Sequence, residues 1–419
     1  MRKKAYRAID VKKINIDQLL SKANGERIVF GIDVAKEKEY CSLMNEKREV
    51  LTTIKWNHPT NTLEFINLVK KFPKAETVME PSGSYGDPIR YMLEQSEIPV
   101  FRVSPKRSHD AAEVYDGVPS LHDAKSAAII SKLHLDGASE KWVSKKDHER
   151  DQFATIATLD ILSQQFVQNT NRLEALMAKH WPEITKNLKY TQTTFLELVS
   201  IMGGPYQIAS NKVNSGLLMK RVGGNFLKKE KIDIVLNSAE STIGLPLTEG
   251  ELAELKYLAT CTLNLKREIH KYKKRISELS QADESTKNIS TVVGKTTAVV
   301  LVTCCGDPLN FKTCNHWLKN FGLNLKEKSS GNYKGRLMIT RRGSGRGRKW
   351  LYFAVLRLVQ KDEIVKAWYK RKIERDGGIR KKGLVAIMRK LVKALWYVAR
   401  GEKFDTRKMF DATKLGFAS

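Results

Sequence analysis

The sequence predicts an α/β fold near the amino terminus, followed by a mainly α-helical remainder. Over residues 27–147, short apolar runs bounded by charged turns alternate with helical patterns, which is typical of an α/β domain. Beyond residue 147 the apolar residues recur at helical spacing, and one heptad series extends from Leu258 to Leu279. The chain has 419 residues, of which 41% are hydrophobic, so it can form more than one core.

We divide the chain into four segments on this basis. They are a basic amino-terminal arm (1–26), the α/β domain (27–147), a helical, coiled-coil spacer (148–285) and a mainly helical carboxy-terminal domain (286–419).

The α/β domain is predicted to begin with three strands in a meander, because three apolar runs are separated by charged turns. The predicted strands are residues 28–34, 40–44, 50–56, 77–79 and 100–103. The predicted helices are residues 61–71, 87–95 and 121–135, and Asn61 is a plausible cap for the first of them.

The spacer contains an apolar seam of about three heptads. Its members are Leu258, Leu265, Ile269, Tyr272, Ile276 and Leu279. This spacing predicts a coiled-coil arm that also pairs subunits, and the alternative is an ordinary core-facing helix. Residues 203–248 contain several glycines that interrupt the apolar pattern, and no helix or strand is assigned to them.

Positive charge is concentrated near the carboxyl end. The chain carries 74 Lys and Arg against 46 Asp and Glu, a net charge of +28. Residues 331–419 hold 25 of these cations against 7 acids, interleaved with aromatic residues. Such a surface suits a polyanion, so nucleic acid is the predicted partner. The alternative is a solvated helix face over core aromatics. It explains the aromatic residues but not the excess of positive over negative charge.

Several protein classes are excluded. No apolar run approaches the ~18 residues of a membrane span, and five scattered cysteines fit a reducing cytoplasm rather than a disulfide scaffold. Cys305, Cys314 and His316 lack the paired spacing of a zinc site. Gly294-Lys-Thr imitates the end of a phosphate-binding NTPase loop, but Ile289 stands where that loop needs glycine. This segment is predicted instead to resemble a helix-hairpin-helix turn.

Three acids are candidate metal ligands. Asp33 ends one predicted strand, Glu80 ends another, and Asp123 begins a helix. The working site of an open α/β sheet lies at the carboxyl ends of its strands, where two of these acids fall. Clustered carboxylates repel one another and need a cation or raised pKa values, and hard oxygen ligands suit Mg²⁺. The alternative for each acid is a cap or turn role.

These residues also carry a resemblance to a known family. The motifs are Gly31-Ile-Asp-Val-Ala-Lys, Met79-Glu-Pro-Ser-Gly-Ser-Tyr, Ser104-Pro, Asp123-Ala-Lys-Ser-Ala, the segment Gly294 through Phe311, and the series Gly322, Ser330-Gly, Gly335, Ile339, Gly343 and Arg348. In this order they resemble the insertion-sequence transposases with an amino-terminal RuvC-like DEDD domain, relatives of the pilin-gene invertases. The resemblance covers most of residues 27–405.

The resemblance implies an RNase H-like (RuvC-like) domain whose acids bind Mg²⁺ and a carboxy-terminal serine that attacks a DNA phosphate. Carried over, the acids are Asp33, Glu80 and Asp123, and the nucleophile is Ser330. The place of the family's fourth acid holds Ser126, a weaker ligand, for which Asp110 or Asp116 could substitute. The position before Arg348, a leucine in the family, holds Gly347.

The function implied is a cytoplasmic DNA transposase or site-specific recombinase that forms a covalent phosphoserine intermediate. A structured guide RNA and a homo-oligomer, dimer or tetramer, acting on donor and target DNA are implied as well. The alternatives are a RuvC-like nuclease that uses water and a nucleic-acid-binding protein with a decayed site. The candidate phosphate contacts are Lys106, Arg107, Lys295, Arg341, Arg342, Arg346, Arg348 and Lys349, and solvated surface is the alternative for each.

Overall fold

The computed structural model describes residues 7–81, 83–115, 117–118, 122–281, 283–327, 329–330, 333–335 and 337–417, with the backbone alone at 329–330 and 333–334. The chain divides into two compact units, Met1–Ser144 and Lys145–Ser419.

The first unit is a seven-stranded sheet covered by helices. Its strands are β1 (Ala8–Asp10), β2 (Ile28–Asp33), β3 (Lys38–Asn45), β4 (Val50–Asn57), β5 (Ala75–Met79), β6 (Val100–Arg102) and β7 (Glu140–Lys141). Its helices are α1 (Ile16–Ala23), α2 (Thr62–Val69), α3 (Asp87–Gln95), α4 (Pro105–Asp110) and α5 (Asp123–Leu135).

The strands lie in the order β1-β4-β3-β2-β5-β6-β7. The meander β2-β3-β4 is antiparallel, whereas β5 runs parallel to β2, and β6 runs parallel to β5. The predicted strands and helices of the α/β domain are therefore confirmed, with shifts of a few residues at their ends.

The predicted basic arm contains regular structure. Strand β1 pairs in parallel with β4, at one edge of the sheet, and α1 follows it. Leu19 and Ala23 of α1 are buried in the same core as the meander. Residues 8–23 thus belong to the sheet unit, because their few apolar side chains are placed where one helical face can bury them.

Each face of the sheet has its own core. On one face, Phe30 and Ile32 of β2 pack with Phe65 of α2 and Leu93 of α3. On the other face, Val29 of β2 packs with Ile129, Ile130 and Leu133 of α5 and with Val78 of β5 and Val103. Both faces of β2 carry apolar side chains because helices cover both faces of the sheet.

A polar cluster holds α5 to the sheet near the amino end of β2, which is the end opposite to Asp33. Glu76 accepts hydrogen bonds from Arg27 (2.5 Å) and from His134 Nε2 of α5 (2.7 Å). Burial raises the pKa of Glu76, but the hydrogen bonds from Arg27 and His134 outweigh it, so that this pKa lies below its usual value. The cluster fixes the carboxyl end of α5 against β5.

The second unit is mainly helical. Its helices are α6 (Asp147–His180), α7 (Thr193–Met202), α8 (Pro205–Ser210), α9 (Lys212–Gly223), α10 (Lys229–Glu240), α11 (Glu249–Glu278), α12 (Glu284–Val293), α13 (Lys295–Cys305), α14 (Cys314–Asn320), α15 (Gly345–Lys361), α16 (Glu363–Arg375), α17 (Arg380–Val398) and α18 (Thr406–Met409). Four two-residue strands, β8 (Leu325–Lys326), β9 (Ser329–Ser330), β10 (Tyr333–Lys334) and β11 (Met338–Ile339), lie between α14 and α15.

The long helices α6 and α11 pack along each other, and the unit contains two large helical cores. One core contains Leu173 of α6, Phe195 of α7 and Leu255 of α11. The other contains Trp317 of α14, Leu351 of α15 and residues of α17. The unassigned residues 203–248 form α8, α9 and α10, whose short amphipathic patterns are interrupted at Gly203 and Gly224, both with positive φ.

The predicted heptad seam faces the interior of its own unit. Ile276 is buried with Ile156 and Leu159 of α6, and Ile269, Tyr272 and Leu279 pack against the same cluster. This is what a core-facing helix predicts, and pairing of subunits through the seam stays a prediction. None of the helices in the described part of the chain combines the length and apolarity that crossing a bilayer requires.

Candidate active site

Two of the predicted acids lie at one edge of the sheet. Asp33 is the last residue of β2, and Glu80 directly follows β5. Because β2 and β5 are parallel neighbours, with Ile32 opposite Met79, the two acids leave the sheet side by side. The third acid, Asp123, is the first residue of α5.

The close packing of α5 on β2 places Asp123 near the other two acids. Gly31 lies so close to α5 that a Cβ on it would sit 2.4 Å from the Ala127 carbonyl oxygen. Asp33 is two residues beyond Gly31 and therefore faces the same helix. The cap of α5 is His122, whose side chain accepts a hydrogen bond from the Lys125 amide, so Asp123 is not the cap residue.

The charges of the three acids are coupled. Burial, together with repulsion from Asp123 and from Glu80, raises the pKa of Asp33 from 3.8 to about 7. A carboxyl group with this pKa is half protonated at neutral pH, and a cation at the site would favour its charged form. Asp123 and Glu80 therefore lie close enough to Asp33 to affect its protonation.

Sequence reasoning missed a buried acid next to Asp33, namely Glu39 of β3, which strand alternation places on the sheet face opposite to Asp33. The residue is fully buried, and its Oε2 accepts a hydrogen bond from the Ala35 amide at 3.0 Å, in the loop that follows Asp33. Burial raises the pKa of Glu39, the hydrogen bond from Ala35 lowers it in part, and repulsion from Asp33 raises it, so that the net pKa is about 8. Its Oε1 has no hydrogen-bond partner within the described structure. No local signal distinguishes it, because Glu39 is the last of four consecutive charged residues, 36–39.

The candidates for the family's fourth acid differ in position. Ser126 lies three residues after Asp123 on α5, on the same helical face and half-buried. Asp110 is exposed and forms an ion pair with Lys106 one helical turn away. Asp116 lies outside the described residues. Ser126 is therefore the residue whose spacing brings it beside Asp123.

The donor set fits a hard divalent cation. Carboxylate oxygens are the ligands that such ions prefer, and the pKa of Asp33 is raised first by burial and then by the negative charges of Asp123 and Glu80. Within the described ranges, no three Asp, Glu, His or Cys side chains lie close enough together to hold a metal ion as they stand. Neighbouring carboxylates repel one another, and a bound cation would offset this repulsion.

The predicted nucleophile lies in the second unit. Ser330 belongs to β9, which pairs antiparallel with β10, so that Ser330 is opposite Tyr333. The side chain of Ser330 lies outside the described part of the chain. Around this hairpin, β8 pairs with β11, and Met338 lies opposite Lys326.

The predicted phosphate contacts fall into two groups, according to their partners in the structure. Those with a partner are Lys106 (paired with Asp110), Arg107 (donating to the Ala138 carbonyl), Arg346 and Lys349 (both on Asp160) and Arg348. Lys295, Arg341 and Arg342 are exposed, and their side chains have no ion-pair partner among the described residues. Lys295 begins α13, which Gly294 alone separates from α12.

Arg348 supports the loop that precedes α15. Its Nη1 donates to the carbonyls of Phe321 (2.9 Å) and Gly343 (3.1 Å). One residue earlier, a Cβ on Gly347 would lie 2.3 Å from Cys305 Sγ. Position 347 is occupied by glycine because α15 and α13 lie too close together there for a side chain.

Comparison with known proteins identifies both halves of the chain. Residues 30–182 match the family model of the IS110 transposase DEDD domain, described as a transposase. Residues 289–370 match the model described as transposase, IS116/IS110/IS902 family. Residues 158–314 match a third model, described as Nop, snoRNA binding domain, fibrillarin. No curated protein matches the chain significantly.

The two transposase models match in chain order and include both the three acids and the hairpin with Ser330. The resemblance found from the motifs is thereby confirmed. The chain belongs to the IS110 family of transposases and is a DNA-recombining enzyme with an amino-terminal DEDD domain.

Proposed function

We propose that the enzyme cuts and rejoins DNA by attack of Ser330 on a DNA phosphate, assisted by Mg²⁺ at Asp33, Glu80 and Asp123 and guided by a structured RNA. The observation that carries the acid half of this proposal is the coupling of Asp33 to Asp123 and Glu80 at the carboxyl ends of β2 and β5. The sheet order β4-β3-β2-β5-β6, with β3 antiparallel to its neighbours, supports an RNase H-like domain.

A DEDD domain suggests dependence on a divalent metal. The ligands proposed are Asp33, Glu80 and Asp123, with Ser126 as a weaker fourth. A bound divalent ion would stabilise negative charge on the attacked phosphate. Asp33 must be charged to act as a ligand, so deprotonation of a group with a pKa near 7 accompanies ion binding.

The serine step conserves the energy of the DNA linkage. The Ser330 oxygen forms a bond to phosphorus and loses its proton, while the bond to the departing strand breaks and that strand end takes up a proton. Attack by a strand-end hydroxyl on the phosphoserine reverses these changes and releases Ser330. Strand exchange between two DNA segments needs several such serines, which supports a homo-oligomer.

The guide RNA has two independent supports. The stretch that matches the snoRNA-binding model, residues 158–314, includes α11, whose exposed face carries Lys271, Lys273 and Lys274. The net charge of +28 is large enough to hold more than one polyanion. We propose that this helical segment binds RNA while the flanking parts act on DNA.

A suicide DNA substrate tests the serine and the acids. In this substrate the strand end beyond the cut diffuses away, so a covalent protein–DNA adduct accumulates. We expect a Mg²⁺-dependent adduct with the wild type and with Ser329→Ala, and none with Ser330→Ala or Asp33→Ala. Nicked DNA without an adduct would support the water-dependent nuclease, and neither product would support a binding protein. Either result would overturn the proposal.

Copurification tests the RNA. We expect the full chain to retain one defined RNA at moderate salt and to lose target selectivity after ribonuclease treatment. Full selectivity of the bare protein would refute RNA guidance while leaving the serine chemistry untouched.

A further inference from the structure

A small cavity opens beside Asp123. It has a volume of about 280 Å³ and is lined by Ala8, Tyr40, Lys55, His122, Asp123 and Ala124. This volume lies just below the range of about 300 to 1,000 Å³ that is typical of ligand cavities, and it leaves room for a phosphodiester group. The amino end of α5 forms one wall, and the sheet forms another.

Strand register places two polar residues of this cavity in line with Asp33. Asp33 is opposite Tyr40, and Tyr40 is opposite Lys55. Residues directly opposite each other point to the same face, which at Gly31 and Asp33 is the face that α5 covers. The row therefore runs from the acids to Lys55 over two strand spacings, about 10 Å.

The polar ends of this row are available to a ligand. Both Tyr40 and Lys55 are half-buried, yet within the described structure neither the Tyr40 hydroxyl nor the Lys55 ammonium makes a hydrogen bond or ion pair. Two acids are near: Asp123 lines the same cavity, and Asp10 is opposite Lys55 in β1. Asp10 instead accepts a hydrogen bond from the Lys12 amide. A partly desolvated cation that pairs with neither acid suits an anionic ligand.

We propose that this cavity binds a phosphodiester of the DNA strand that lies next to the phosphate being cut. The Lys55 ammonium and the Tyr40 hydroxyl donate to its oxygens. The inference rests on the proposed function, because it assumes that the acids act on the same strand. Its role is to fix the register of the strand, since contacts to phosphates position a nucleic acid without reading its sequence.

The test combines protein variants with uncharged DNA linkages. The full chain, with its copurifying RNA, is titrated with fluorescent DNA that spans an end of the encoding element, in Ca²⁺ to prevent cutting. Single methylphosphonates replace each phosphate around the cut site in turn. The variants are Lys55→Ala, Lys55→Arg and Tyr40→Phe. The matched control is Lys47→Ala, an exposed lysine at the β3–β4 turn with the same change in charge.

We expect Lys55→Ala to bind native DNA about tenfold more weakly, Tyr40→Phe about threefold more weakly, and Lys55→Arg and Lys47→Ala as the wild type does. One methylphosphonate should weaken wild-type binding about tenfold and have no further effect on Lys55→Ala. Thermal unfolding identifies a variant that fails to fold. If Lys55→Ala does so, the linkage scan on Tyr40→Phe decides, because this variant also lacks a proposed donor to the phosphodiester.

Three outcomes overturn the proposal. In the first, Lys55→Ala binds DNA as tightly as Lys47→Ala does. In the second, the weakening of DNA binding by Lys55→Ala adds to the weakening by the methylphosphonate at every position of the scan. In the third, the weakening by Lys55→Ala disappears when the RNA is removed. The last would place RNA in the cavity. Asp33→Asn is measured in parallel: if it still cuts, the acid site fails as a proposal, while the affinity result at Lys55 stands by itself.

Discussion

Gly31 of β2 and Ser131 of α5 lie in direct contact, so that a Cβ on Gly31 would sit 2.2 Å from Ser131 Oγ. Ser131 in turn donates a hydrogen bond to the Ser42 carbonyl of β3 at 3.2 Å. This contact sets the distance between the helix that carries Asp123 and the strand that carries Asp33. No larger residue fits at Gly31 without moving the helix.

We therefore expect Gly31→Ala to lower the free energy of unfolding by about 1–3 kcal/mol, because an added methyl group in a packed interior forces a shift. Displacement of α5 should also weaken divalent-ion binding. Thermal unfolding and metal titration measure the two effects. Gly250→Ala is the control, since no atom lies within 4 Å of a Cβ at Gly250. Equal stability of the two variants would contradict the prediction.

A second prediction concerns Asp160 of α6, which binds Arg346 Nε at 2.6 Å and Lys349 Nζ at 3.0 Å of α15. The Asp160 side chain is 14% exposed, so its removal leaves two partly buried cations together. We expect Asp160→Asn to lower the free energy of unfolding by about 1–3 kcal/mol. Asp151→Asn on the same helix is the control, because the exposed pair of Asp151 with Arg275 contributes little. Denaturant unfolding of both variants in parallel provides the measurement.

The buried carboxyl of Glu39 predicts a dependence of stability on pH. Its pKa rises from 4.5 in the unfolded chain to about 8 in the fold, so between these values the folded state binds more protons. Stability is therefore lost as the pH rises through this range. We expect Glu39→Gln to match the wild type near pH 4 and to exceed it by at least about 1 kcal/mol near pH 9. Glu37→Gln, whose side chain is 83% exposed, should show no such trend.

Measurements for this comparison are made in EDTA, so that metal binding does not contribute. A difference between Glu39→Gln and the wild type that stays constant from pH 4 to pH 9 would contradict the raised pKa.

Much of the first unit could be predicted from the sequence because its signals are local. Asp87–Gln95 and Asp123–Leu135 follow from apolar spacing and from the charged turns around them. The positions of Asp33 and Glu80 follow from a general property of parallel strands. Glu39 could not be predicted, because its burial depends on how the loop at Ala35 folds back over β3.

In the second unit, prediction from the sequence was limited for a different physical reason. A heptad seam shows which helix face is apolar but not which partner covers it, and here α6 and α13 of the same chain do so. Similarly, a run of arginines shows the charge but not its partners. Asp160 lies 186 residues before Arg346 in sequence, so no local pattern connects them.

Ser126 provides the last prediction, because it stands where the DEDD pattern has its fourth acid. Asp123 and Ser126 are neighbours on α5, so Ser126→Asp would add a carboxylate beside the three acids. Without a divalent ion, this charge should raise the pKa of Asp33 further and lower stability, despite its favourable place near a helix amino terminus. With the ion, one more hard ligand should tighten binding about tenfold.

Isothermal titration with Mn²⁺ measures the affinity, and thermal unfolding with and without Mg²⁺ measures the linked stability. Ser126→Ala removes the hydroxyl and should weaken binding only slightly, whereas Ser241→Asp adds the same charge in the second unit and should leave Mn²⁺ binding unchanged. If Ser126→Asp and Ser241→Asp bind Mn²⁺ equally well, then the acids near α5 do not form the metal site, because a carboxylate at Ser126 could not then be one of its ligands.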